Sequence, residues 1–326
     1  MRMPEMTYIE AITSTLADAM RADPRVFVLG EDVAEGGPYT ATAGLADEFG
    51  TARVIDTPIS EAAITGVAVG AAQAGMRPVL EIMFIDFLTL ALDQLVNGAA
   101  KAHFMSGGQL TVPLVVRTQG GAGQRGAAQH SQSLESWLTH VPGLKVVMPS
   151  RAVDAAGLLA AAISDPNPVV FIENKTLYFR REQVPERAEA VRIGEAATMR
   201  AGSDVTIVAI SRLVHDALAA AERLSVEDGI DAEVIDPRTL VPLDLDAIVS
   251  SVGRTGRIVV AHEAVEHGGF GAELVAQVQR AAFDYFDAPA VRVGAPFAPI
   301  PFSGPLEDAY VPNAETIVAA VRSLFR

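Results

Sequence analysis

Three stretches hold side chains whose types and spacing suit chemistry. In residues 54–61 (VIDTPISE) a strand-like run ends, Pro58 breaks it, Ser60 stands where a helix cap belongs and Glu61 falls in the first helical turn. Small residues dominate behind Glu61: Ala62, Ala63, Gly66, Ala68, Gly70, Ala71 and Ala72. Glycine costs a helix about 1 kcal/mol relative to alanine. Several in one helix point to close passage of another backbone, and to deep burial. A carboxylate at such a helix start has two readings. In solvent it complements the helix dipole. Buried, its pKa rises and suits it to proton exchange near neutrality.

Residues 117–132 (RTQGGAGQRGAAQHSQ) follow a strand and are crowded with glycine. The spacing is neither the dinucleotide fingerprint nor a Walker loop. His130 lies beyond the glycines among Gln129, Ser131 and Gln132. It is either a plain surface histidine or a group that exchanges a proton near pH 7. Residues 162–168 (AISDPNP) read as a turn after a helix, since Asp, Asn and Pro form turns. Such a turn can also aim several carbonyl oxygens at one point, the ligand type hard cations prefer.

Composition narrows the function classes. The 326 residues include 25 basic and 40 acidic side chains, a net charge of −15. Nucleic acid and anionic membranes need a basic surface, so neither is an expected partner. The absence of cysteine removes disulfides, thiolate metal sites and cysteine nucleophiles. The N-terminus lacks the apolar block of a secretory signal. The uncharged stretch 62–75 is shorter than the roughly 20 residues of a membrane span. A cytoplasmic protein is expected. His262, Glu263 and His267 do not form the spaced pair of a zinc helix, and no GxSxG elbow occurs. Trp137 is expected to be packed, and residues 30–40 (GEDVAEGGPYT) to form an acidic loop.

The positioning elements are legible as alternation. Apolar runs at 26–29, 79–83, 114–117, 146–148 and 169–172 read as buried strands. Helical patterns at 7–21, 61–75, 87–105 and 152–164 lie between them. This predicts a parallel sheet covered on both faces. A charged stretch from 180 to 204 reads as connecting chain. Beyond it strands at 205–210, 232–235 and 258–261 alternate with helices at 214–226 and 272–282, and a helix at 314–325 closes the chain. The fold class is α/β, with two three-layer domains at 1–185 and 204–326 joined by a linker at 186–203.

The order of longer motifs adds a resemblance. GEDV, IDTPISE, FIDFLTLALDQLVNGAAKAHFMSGG, AAQHSQS, PGLKVVMPS and NPVVFIENKTLY are followed by IDPRTLVPLD, VVAHEA, GGFGAEL and PFSGPLEDAYVP. Over essentially the whole chain this resembles the beta chain of the thiamine-diphosphate-dependent 2-oxoacid dehydrogenases: pyruvate, branched-chain and acetoin. The resemblance implies a transketolase-like pyrimidine-binding domain followed by a transketolase C-terminal domain. It implies an alpha chain in an α2β2 heterotetramer that docks on a lipoyl acyltransferase core. The diphosphate and Mg2+ would be held by the alpha chain, because the GDG motif for them is missing here. By position, Glu61 matches the glutamate that contacts the aminopyrimidine nitrogen N1′, and Ile59 and Phe87 match residues lining that ring. His130 matches a histidine associated with acyl transfer to lipoyl. The carbonyls of Leu114, Ala162, Ile163, Asp165 and Asn167 match those that bind structural K+ in related chains. Two other readings are a split transketolase subunit and a noncatalytic docking subunit. The preference among pyruvate, branched-chain 2-oxoacids and acetoin stays open.

Overall fold

The computed structural model describes residues 4–185 and 190–326. The chain forms two compact units. The first comprises residues 1–120 and 137–193, and the second residues 121–136 and 194–326.

The first unit is built on six parallel strands in the order β6-β7-β5-β4-β2-β3. These are β2 (Val26–Gly30), β3 (Val54–Asp56), β4 (Arg77–Ile82), β5 (Val115–Gly120), β6 (Lys145–Val147) and β7 (Val169–Asn174). Alternate strand residues, among them Val28, Val79, Val115, Val169 and Phe171, share one core with α1 (Tyr8–Ala22), α2 (Leu45–Phe49) and α7 (Ala152–Ser164). On α1, Ile12, Leu16 and Met20 recur at helical spacing on that face. Thr7 and Glu10 cap this helix reciprocally in a capping box. A separate short ladder pairs β1 (Glu5–Thr7) with β8 (Arg181–Gln183). Helix α3 (Glu61–Gln73) packs against β4 and β2.

The pattern at 87–105 does not form one helix. It breaks into α4 (Ile85–Leu88), a 3-10 turn (Thr89–Ala91), a π-helical segment (Gln94–Ala99) and α5 (Ala100–Met105). Gly98 lies in the π segment, where a helix gains one residue per turn and shifts its facing side chains. A five-residue helix, α6 (Glu135–Thr139), precedes β6.

The second unit has five strands in the order β14-β13-β10-β11-β9. They are β9 (Ala197–Arg200), β10 (Val205–Ala209), β11 (Ala232–Asp236), β13 (Ile258–Val265) and β14 (Val291–Ala295); a short strand, β12 (Thr239–Val241), follows β11. All pairings in this sheet are parallel except the edge strand β9. Helices α8 (Leu213–Asp228) and α12 (Ala314–Ser323) cover one core. Helices α9 (Leu245–Thr255) and α10 (Phe270–Ala282) pack on β10 and β13, and α11 (Gly304–Tyr310) precedes α12. Strand β9 lies in the stretch read as linker, of which residues 186–189 fall outside the described residues. It pairs with β11 through Thr198 and Arg200, so tertiary pairing overrides its polar composition. The buried ring of His262 explains the GGFG sequence. A Cβ on Gly269 or Gly271 would meet this ring at 2.5 or 2.7 Å. Burial pushes the His262 pKa down to about 4, which keeps the ring neutral.

Candidate active site

In a parallel sheet, ligands gather at the carboxyl ends of the strands. Here that edge is acidic. Register aligns Gly30 with Asp56 on one side and Glu81 on the other, at the ends of β2, β3 and β4. The strands approach so closely that a Cβ on Gly30 would lie 2.7 Å from the Glu81 carbonyl. Glu31 follows Gly30 directly, and Asp56 accepts the Ala34 amide at 2.7 Å, which folds the acidic loop back over β3. Glu61 opens α3 a few residues beyond β3 and is only 8% exposed. Burial pushes the Glu31 carboxyl above its ordinary pKa, and the charges of Glu61 and Asp32 push it further the same way. Glu31 and Glu61 are therefore electrostatic neighbours.

Beneath this edge a buried ion cluster ties three strands together. Arg117 of β5 donates to Glu81 of β4 at 2.7 Å and to both oxygens of Glu173 of β7 at 2.7 and 2.9 Å. The Tyr178 hydroxyl donates to Glu173 at 2.6 Å, and the Gln119 amide to Glu81 at 3.3 Å. Buried charges persist only when paired and hydrogen-bonded in this way. The cluster thus absorbs the Arg117 charge, with Glu81 as one of its partners.

Two predicted site residues follow the ends of β3 and β4 in the chain. Phe87 is half-buried and packs edge-on against Phe84 with ring centroids 5.9 Å apart. Phe84 in turn carries the Lys175 ammonium 5.1 Å above its ring. Ile59 stands in the turn before Glu61 and is 81% exposed. Ser60 takes the N-cap position of α3, but its side chain makes no cap hydrogen bond, contrary to expectation. The helix is also not buried all round. Ile64, Thr65, Ala68, Val69 and Ala72 face inward, whereas Ala62, Ala63, Gly66, Val67 and Gly70 are exposed. Trp137 is exposed as well, rather than packed.

The turn at 162–168 brings the five predicted carbonyl residues to one region of the first unit. The Leu114 carbonyl accepts the Val169 amide at 2.9 Å, and that of Ala162 accepts the Asp165 amide at 3.2 Å. Arg77 donates to the Ile163 carbonyl at 2.6 Å and reaches that of Asp165 at 3.4 Å. Asn167 donates its backbone and side-chain amides to the Asp165 carboxylate, which also pairs with Lys145.

His130 belongs to the second unit, on the strap 121–136. It is exposed and ends a 3-10 turn (Ala127–Gln129). The Gly121 amide donates to the Gln132 carbonyl at 3.1 Å and closes the base of the strap. Three acids surround it; the sequence points to one of them, Glu263, only beside His262 in a pattern that does not fit zinc. Glu263 accepts the Ala122 amide, Glu307 accepts the amides of Gly123 and Arg125, and Glu135 lies buried at the strap's end. Acidic side chains are common, and no local pattern marks these ones. Their role arises from long-range contacts.

Comparison with known proteins decides the family. Residues 4–180 match the transketolase pyrimidine binding domain, and residues 194–317 match the transketolase C-terminal domain. The chain is 46% identical over 324 residues to the pyruvate dehydrogenase E1 component subunit beta of Rhizobium meliloti, covering 99% of this chain and 70% of that protein. It is also 46% identical over 328 residues to the acetoin:2,6-dichlorophenolindophenol oxidoreductase subunit beta of Bacillus subtilis, covering 97% and 96%. The chain belongs to the beta-subunit family of the 2-oxoacid dehydrogenases. Within this family's fold, a solved split-gene transketolase described as an inactive beta4 tetramer superposes with a TM-score of 0.79 at 25% identity, covering 98% of each chain. The two α/β domains thus agree with the transketolase-like fold class. Among the described residues, no helix of this family member is long and apolar enough to cross a membrane.

Proposed function

We propose that the edge around Glu61 holds the aminopyrimidine ring of thiamine diphosphate for the decarboxylation of a 2-oxoacid. The observation that carries this is the burial of Glu61 beside Glu31 at the carboxyl ends of β2 and β3. The residues present suit that ring. A carboxyl offers a proton to a ring nitrogen, Phe87 offers an aromatic face, and Ile59 offers an exposed apolar side chain. When bound, thiamine diphosphate supplies the nucleophilic carbon and the electron sink for loss of CO2. Glu61 fixes and shares the proton at the ring nitrogen N1′. Burial holds the neighbouring Glu31 toward its neutral form. Phe87 orients the ring, and Ile59 excludes water from one side of it.

A diphosphate does not suit this edge. Asp56 and Glu61 repel it, and Arg117 is already paired with Glu81 and Glu173. This supports an alpha chain that supplies the diphosphate and Mg2+ in an α2β2 heterotetramer. His130 takes part in acyl transfer to a lipoyl group of an acyltransferase core. A potassium ion at the 162–168 turn belongs to the same reading. Each carbonyl there keeps a second lone pair, and the ion shares Ile163 and Asp165 with Arg77. The domain boundaries at 185 and 204 and a cytoplasmic location are likewise part of the proposal. Pyruvate, branched-chain 2-oxoacids and acetoin remain the substrate panel.

The test is Glu61→Gln in enzyme reconstituted with its alpha chain. The rate should fall by roughly two orders of magnitude or more, the scale of general acid–base catalysis. A loss below about tenfold removes Glu61 from the mechanism.

A further inference from the structure

The strap that carries His130 is held by a carboxylate nearly two hundred positions away in sequence. Glu307 lies in α11 and is fully buried, yet no hydrophobic argument places a carboxylate there. One of its oxygens accepts the Gly123 amide at 2.9 Å, and the other accepts the Arg125 amide at 3.2 Å. The same carboxylate pairs with the Arg125 guanidinium, which also grips Asp308 at 2.8 and 3.1 Å. Glu263 takes the preceding amide, that of Ala122, and is itself held by Arg212 at 3.0 Å. Three backbone amides among four consecutive residues therefore end on two acids of the C-terminal region.

The backbone between this anchor and His130 leaves little slack. Gly123, Arg125 and Ala127 all adopt positive φ, at 97°, 60° and 56°. For Arg125 and Ala127 that conformation costs free energy and persists only where the surroundings impose it. A Cβ on Gly126 would fall 2.8 Å from both the His130 carbonyl and the Ser131 hydroxyl. The strap is thus a tight, strained turn with His130 at one end and Glu307 at the other.

We infer that Glu307 is a positioning residue for His130, fixing the strap at 122–125 so that the histidine is presented in one place. This rests on the reading of His130 as the group that serves acyl transfer. Charge-assisted bonds to backbone amides are stronger than neutral ones. Losing them should free the strap without touching the edge around Glu61.

The experiment compares Glu307→Gln, His130→Ala and the double variant in enzyme assembled with its alpha chain. Two readouts are taken. The first is amide hydrogen exchange at 121–126. The second is the rate of lipoyl-domain acylation divided by turnover with 2,6-dichlorophenolindophenol. In Glu307→Gln, exchange should quicken roughly 10- to 100-fold, as expected for lost bonds to a charged acceptor. The acylation ratio should fall in the same direction as in His130→Ala, and the double variant should be no worse than His130→Ala alone. Unchanged exchange, or a double variant in which the losses multiply, overturns the inference. If His130→Ala leaves the ratio unchanged, the role given to His130 falls instead, and exchange at 121–126 alone shows whether Glu307 fixes the strap. Glu307→Asp keeps the charge on a shorter arm, and intermediate exchange in it supports the inference.

Discussion

At the scale of single residues, carboxyl groups dominate, and burial sorts them. Glu135 is the clearest titrating case. Burial pushes its carboxyl up to about 7, and the charge of Glu263 adds to this. From its ordinary value of 4.5 up to about 7, the folded chain keeps a proton that the unfolded chain has released. Stability should therefore fall as pH rises through that window and level off above it. Glu135→Gln should flatten the fall, a difference of about 3 kcal/mol at the upper end. Urea midpoints measured across the window read this directly, and an unaltered pH slope in the variant would refute it. The residues differ in how legible they were. Glu61 could be found because a Pro, a cap position and a run of small residues bracket it. Glu31 sits in an acidic loop that opens with the GEDV motif, and it matters because strand register brings β2 beside β3. Ser60 illustrates the opposite error: the right residue type at the right position makes no cap bond.

At the scale of elements, α3 carries most of the argument. Its glycines and alanines suggested a helix buried on every side, yet one face is open in this chain. Composition reports that a backbone will come close, but not whether it belongs to the same polypeptide. An exposed row of small side chains suits another subunit, since it lets helices approach closely at little entropic cost. Gly70 has room for a side chain, with no atom within 4 Å of an added Cβ. Gly70→Leu should leave the melting temperature of the isolated chain unchanged or slightly higher, because leucine is the better helix former. Reconstitution with the alpha chain should drop at least about tenfold, measurable by titration of restored activity. Equal reconstitution would show that this face is not the contact. The strands themselves were plain in the sequence, because a buried parallel strand is nearly continuous in Val, Ile and Leu. Strands β9 and β14 were not, since polar or mixed composition conceals elements that tertiary pairing defines. The segment 87–105 has helical periodicity throughout, and periodicity alone does not reveal the π turn within it.

At the scale of the whole molecule, the acidity of the edge around Glu61 and the missing diphosphate motif lead to the same expectation. The purified chain should not decarboxylate pyruvate, a branched-chain 2-oxoacid or acetoin until an alpha chain is added. Turnover by the chain alone, measured as CO2 release, would contradict the shared site. Family membership was legible because many motifs occur in one order over the full length. Substrate choice was not, because relatives named for pyruvate and for acetoin match this chain at the same 46% identity. The compact units divide between 193 and 194. The strap complicates that division, since residues 121–136 leave the first unit and join the second. Topologically, this means the polypeptide crosses from one body to the other three times. No single cut separates the two bodies. A gene split after residue 193 would strand the amides of Ala122, Gly123 and Arg125 on one product, and their carboxylate acceptors Glu263 and Glu307 on the other. Evolutionary rearrangement or laboratory recombination of these bodies must carry this excursion along, or rebuild it.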